Sequence, residues 1–225
     1  MEQLPTVLTI RRAAMPELPE RFAGDDVRFA PEFARLMIER FTHPGECVLD
    51  PFAGYGTTLS AARELGRECV GVELLPQRVE YMRAQLDPHA CVYCHDARRL
   101  CELALPRIDF VLTSPPYMAR NDHPEYPFAG YAVTGEDYAR YMEDIAGVFR
   151  QLRAFMRPGA YAAVEVSNII NSGQFTPLAW DVARAIGGVL PLVQELILDW
   201  RDGQTGHGYG FGYDHSYCLL FRQPE

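Results

Sequence analysis

The run Val48-Leu49-Asp50-Pro51-Phe52-Ala53-Gly54-Tyr55-Gly56-Thr57-Thr58 constrains this chain more than any other feature. Cys47-Val48-Leu49 is short and apolar and predicts a buried strand. Gly54 and Gly56 then make a turn, and Thr57 to Leu65, closed by Gly66, predicts a helix. A strand, a glycine turn and a helix in that order lie at the carboxyl edge of a doubly wound sheet, where ligands bind. The two glycines permit positive φ and a close approach of backbone to ligand. The run lacks the third glycine of the dinucleotide fingerprint and the Gly-Lys-Ser/Thr of the phosphate loop, so it matches neither.

The flanking sequence repeats the alternation. Pro31 opens a helix carried by Phe33, Leu36, Met37, Arg40 and Phe41, ended by Pro44-Gly45. Cys69–Val72, Ala90–Tyr93, Ile108–Thr113 and Tyr161–Val166 predict strands. Pro76–Leu86, Tyr138–Met156 and Ala179–Ile186 predict helices between and after them. This is the pattern of an α/β fold, a parallel sheet covered on both faces. Leu196–Trp200 and His215–Phe221 predict two closing strands paired antiparallel across the glycine-rich segment 203–213. Residues 1–30, rich in Pro, Glu and Arg, predict an irregular lead-in. With 48% hydrophobic and 23% charged residues, residues 1–225 are expected to form a single domain.

Several classes are disfavoured by composition. No stretch approaches the roughly 18 apolar residues of a spanning helix, and Met1–Arg12 lacks the layout of a signal peptide, so a cytoplasmic protein without a membrane partner is expected. The six cysteines, in a chain too large to depend on cross-links, read as reduced thiols. Cys91-x-x-Cys94, with His95 and Cys101 nearby, lacks the second knuckle of a structural zinc site, and no metal is expected. A formal net charge of −9 weighs against an extended basic surface. All 21 basic residues are arginine, and only Arg11-Arg12 and Arg98-Arg99 are adjacent.

Two further features carry chemistry. Glu73 ends the second strand, where a carboxylate can accept both hydroxyls of a ribose, and Asp96, past the third strand, can accept from an adenine amino group. Each also has a plainer reading as a strand-end carboxylate or helix cap. Thr113-Ser114-Pro115-Pro116-Tyr117 ends the fourth strand. Its two prolines remove backbone donors and fix φ, so local carbonyls stay available. The Ser114 oxygen and the Pro115 carbonyl can each accept a hydrogen from a bound amino group, and Tyr117 can stack on a base. A rigid proline turn is the alternative.

The order Asp-Pro-Phe-x-Gly-x-Gly-Thr-Thr, an acidic strand end, then Thr-Ser-Pro-Pro-Tyr resembles the amino-methyltransferases that modify cytosine N4 or adenine N6 in DNA, in the arrangement with the cofactor motif first. The resemblance spans about Phe29 to Val166 and, loosely, the terminal strand. It implies a class I, Rossmann-like methyltransferase with a seven-stranded, mostly parallel sheet and a terminal antiparallel strand, using S-adenosyl-L-methionine. It implies that Asp50, Pro51, Phe52, Gly54, Gly56, Thr57 and Thr58 form the methionine-end cofactor loop. Glu73 and Leu74 would then hold the ribose, Asp96 and Ala97 the adenine, and Phe29 would lie in the segment that closes over the cofactor. Ser114, Pro115, Pro116 and Tyr117 would receive the target amine, by in-line displacement without a covalent intermediate, and the Ser form is commoner among cytosine-N4 enzymes.

Relatives of that family usually carry a separate target-recognition region, which is not expected here, so a homodimer or a helper protein is a natural partner. DNA is the favoured acceptor. RNA guanine N2, a small amine, and a non-catalytic binding module on the same fold are the alternatives. Arg98, Arg99, Arg120 and Arg201 around the Tyr117 site would mark a nucleic-acid enzyme. Asp122 and His123 read as an exposed loop pair. Asn121–Tyr131 and the aromatic loop 206–213 read as surfaces able to cover an acceptor.

Overall fold

The computed structural model describes residues 4–10, 17–22, 28–86, 91–118, 138–171, 173–200 and 213–225. In chain order these give β1 (Val7–Thr9), α1 (Pro31–Phe41), β2 (Cys47–Asp50), α2 (Thr57–Glu64), β3 (Glu68–Glu73), α3 (Pro76–Gln85) and β4 (Cys91–Cys94). There follow β5 (Ile108–Thr113), α4 (Tyr138–Phe155), β6 (Met156–Val166), the hairpin β7 (Ile169–Asn171) and β8 (Gln174–Thr176), α5 (Leu178–Gly187), β9 (Leu192–Asp199) and β10 (His215–Arg222). Short 3₁₀ turns cover Glu20–Phe22 and Ala97–Glu102.

The main sheet has the order β1-β9-β10-β6-β5-β2-β3-β4. Its pairs are parallel except those of β10, which runs antiparallel to both β6 and β9. The mostly parallel sheet and the antiparallel pairing of the last two strands are as the sequence led one to expect. The lead-in is not irregular throughout, however. Val7–Thr9 adds an eighth described strand, parallel to β9, because its backbone can complete the ladder along that edge.

Successive residues of each central strand face opposite layers, as the two-residue period requires. Val48, Phe110, Leu112 and Ala163 pack on one face with Phe33 and Met37 of α1, Leu59 of α2 and Val79 and Met82 of α3. Leu49, Val111, Ala162 and Val164 pack on the other with Ile145 and Phe149 of α4 and Val182 and Ile186 of α5. Full burial of such a side chain stabilises the fold by roughly 1.5–3 kcal/mol relative to exposure. Gly71 in β3 lets α2 approach this closely. A Cβ there would lie 2.6 Å from Leu59 Cδ2 and 3.1 Å from Ala53 Cβ.

The chain builds β2, β3 and β4 outward in one direction, then crosses back to lay β5 on the other side of β2. Ligands of open α/β sheets bind outside the carboxyl ends of the strands at such a reversal. Both motifs singled out in the sequence leave the sheet there, one from β2 and one from β5.

Candidate active site

Asp50 closes β2 and is 2% exposed. Its Oδ1 accepts from the Phe52 amide at 3.0 Å and from the Thr113 hydroxyl at 2.6 Å, and its Oδ2 accepts from the Thr58 hydroxyl at 2.7 Å. One carboxylate therefore binds the glycine turn, the first turn of α2 and the end of β5. Burial pushes its pKa up to about 6, against the opposing pull of those three donors. The resemblance assigns Asp50 to the cofactor loop. Its engaged oxygens make it the brace of that loop, with Pro51 buried beside it.

Gly54 sits at φ +55, and an added Cβ would meet nothing nearer than the Phe52 carbonyl at 3.9 Å, so the space over the turn is open. Gly56, at φ +84, is the N-cap of α2 and offers no capping side chain to the first-turn amides around Thr57 and Thr58. Those amides suit an anionic ligand group. Here glycine also meets a packing need, because a Cβ would come within 3.0 Å of Met82 Cγ. Glu73, at the end of β3, is 6% exposed, accepting from the Gly54 amide at 2.9 Å and the Leu75 amide at 2.8 Å. Burial raises its pKa, against the pull of the Leu75 amide and the charge of Arg78.

The remaining expected cofactor contacts are less uniform. Leu74 follows Glu73 and is exposed. Phe29 is buried edge-on to Phe33, with ring centroids 5.7 Å apart, so it belongs to the α1 packing layer. Ala97 is buried. Asp96 caps the turn Ala97–Glu102 by accepting from the Arg98 amide at 2.9 Å, and it also holds the Arg98 guanidinium at 2.7 Å. Burial would raise its pKa, but Arg98, through side chain, backbone and charge, takes it below the usual range. The cap reading, open in the sequence, describes this geometry, and an adenine amino group would have to share the carboxylate with Arg98.

S-adenosylmethionine fits this edge of the sheet. The open space over Gly54, the α2 amides without a capping side chain and the buried acid at Glu73 match its methionine and ribose ends.

At the end of β5 the second motif is equally tied down. Ser114 Oγ donates to Glu165 Oε2 at 2.9 Å, and the Tyr117 hydroxyl donates to the same oxygen at 3.0 Å. The Tyr141 hydroxyl of α4 donates to the Pro116 carbonyl. Pro115 is buried between these anchors, and Tyr117 is only 7% exposed. Glu165, in β6, is fully buried. Sequence reasoning passed over it, although a lone carboxylate inside the apolar run Tyr161–Val166 was the available signal.

Among the arginines expected at the rim, Arg98 pairs with Asp96 and with Asp144, and Arg99 pairs with Glu102. Arg120, Arg201, Asp122, His123, Asn121–Tyr131 and 206–212 lie outside the described residues. Among the described residues no three His, Cys, Asp or Glu side chains gather as metal ligands. No helix there is long and apolar enough to cross a membrane.

The topology, with a glycine turn and an acidic strand end on one side of the reversal, defines a class I S-adenosylmethionine-dependent methyltransferase fold. TrmN from Thermus thermophilus shares it, with a TM-score of 0.61 at 19% identity over 90% of this chain and 50% of that one. Within the fold, residues 25–84 match the N6/N4 methyltransferase family, described as DNA methylase. The type II methyltransferase M.SmaI of Serratia marcescens is 52% identical over 46 residues, 20% of this chain and 16% of that protein. M.XycI of Xanthomonas campestris pv. cyanopsidis is 40% identical over 70 residues, 31% of this chain and 23% of that protein. Each match thus spans less than a quarter of its relative. Ser114–Tyr117 lie beyond the segment that the family matches.

Proposed function

We propose that this protein transfers the methyl group of S-adenosylmethionine to an exocyclic amino nitrogen of a base in DNA, cytosine N4 ahead of adenine N6. The observation that carries the reading is the Asp50 brace. It fastens the glycine turn to Thr113, the residue before Ser114, so the cofactor loop and the amine loop stand in fixed register on neighbouring strands. When bound, S-adenosylmethionine supplies an electrophilic methyl on a sulfonium. The chain's own contribution is positional: holding two partners at attack distance accounts for much of the acceleration in such displacements.

In this reading Ser114 Oγ and the Pro115 carbonyl accept the two hydrogens of the target amine. Accepting them turns the nitrogen lone pair out of conjugation with the ring. Asp96 and Glu73 serve the adenosine end, and Tyr117 forms one wall of the acceptor site.

A small amine is the second reading. The net charge of −9 and the commitment of Arg98 and Arg99 to acidic neighbours favour it over an extended phosphate-binding surface. The experiment is transfer of an isotopically labelled methyl group to duplex DNA, single-stranded DNA, bulk RNA and a metabolite extract. Label in DNA as N4-methylcytosine or N6-methyladenine is expected. Ser114→Ala should lower kcat about 10- to 100-fold, the scale of one hydrogen bond to a group that gains charge. Label confined to RNA or to metabolites would replace the acceptor, and no transfer to any substrate would overturn the enzymatic reading.

A further inference from the structure

We propose that Glu165 is a positioning residue that sets the polarity of the amine site, holding the Ser114 hydroxyl as an acceptor toward the substrate. This rests on the methyl-transfer reading above and deepens it. A serine hydroxyl has one hydrogen and two lone pairs, and left to rotate it can donate as readily as accept. A Ser114 hydrogen donated to the target nitrogen would occupy the lone pair that must attack the methyl, so the motif would block the reaction it serves.

Glu165 removes that ambiguity. Its Oε2 accepts from Ser114 Oγ at 2.9 Å and from the Tyr117 hydroxyl at 3.0 Å. With Oε2 the shared acceptor of both hydroxyls, the Ser114 hydrogen is committed to Glu165 and the Ser114 lone pairs are left for an N–H. Burial is what gives the arrangement its strength. Glu165 is fully buried in β6 and Tyr117 is 7% exposed, and a hydrogen bond in such low-dielectric surroundings is stronger than one in water. The same oxygen fixes both ends of the Ser-Pro-Pro-Tyr loop, so the acceptor atoms and the Tyr117 ring are placed together.

The test is a mutant cycle on the methyl-transfer assay with whichever acceptor the wild type uses. Glu165→Met removes the acceptor and should lower kcat on the order of 100-fold, with the Kd for S-adenosylhomocysteine within about threefold of wild type. Glu165→Gln keeps an oxygen of similar placement but no charge and should rescue most of that loss, leaving kcat roughly 5- to 10-fold down. In a Ser114→Ala background most of each loss should vanish, leaving only the smaller part that Glu165 exerts through the Tyr117 hydroxyl. Should Glu165→Met fail to fold, the Glu165→Gln effect in the two backgrounds decides. Equal losses in both backgrounds, or an unchanged kcat, would overturn the inference while leaving methyl transfer intact. Absence of transfer by the wild type would instead overturn the parent reading.

Discussion

Asp50 shows how one ionisable side chain ties stability to the site. Its pKa, pushed by burial to about 6, exceeds the unfolded value of about 3.9, so the native state holds a proton more tightly between those limits. The sign follows from linkage. Stability falls as pH rises through about 4 to 6, and the cost is complete above that window. Thr113→Val removes a donor to the ionised form and raises this pKa further. It should cost about 1–3 kcal/mol at pH 8 and distinctly less at pH 4.5, as read by urea denaturation at the two values. An equal cost at both would mean that the Thr113 bond does not favour the ionised form. The role of Asp50 was half legible in the sequence. Its position at the strand end was plain, but three donors from residues 52, 58 and 113 converge only once β5 lies beside β2. Glu165 was illegible for the same reason, since its partners Ser114 and Tyr117 come from a neighbouring strand end, whereas the cap role of Asp96 rests on Arg98 two residues away and was open in the sequence.

At the scale of elements, the order of strands and helices was readable because each central element carries its own period and its own breakers. What escaped were pieces too short to show a period: β1, β7 and β8, of three residues each. The start of β6 was missed for a different reason. Pro158 and Gly159 interrupt the apolar pattern, yet Gly159 at φ +76 lets the strand continue, and the β5–β6 register shifts between Ile108 and Phe110. The close seat of α2 on β3 gives a test at this scale. Gly71→Ala should destabilise by about 1–3 kcal/mol, the usual cost of overpacking, because the new methyl meets Leu59 and Ala53. In a Leu59→Ala background the added methyl has room, and its cost should drop by more than half in a thermal or urea cycle. Strict additivity would show that backbone strain, and not the Leu59 contact, sets the cost.

For the whole molecule, β10 follows every other described strand in the chain yet lies inside the sheet, between β6 and β9, with Cys218 through Phe221 buried. The order of assembly therefore differs from the order of synthesis. The half of the sheet formed by β2 to β6 can gather from its own helical crossovers, whereas β9 and β1 have nowhere to dock until residues 215–222 arrive. Until then the edge of β6 stays open, a row of unpaired backbone groups of the kind that recruits other chains. A chain stopped after residue 214 should accumulate as aggregate, measurable by light scattering during refolding. One lacking only residues 1–10 should refold to a soluble protein, because it gives up an edge and not a keystone. Completion from the middle makes the final strand a checkpoint for folding, and the Glu165 site, paired in register with Cys218, is finished only when it passes.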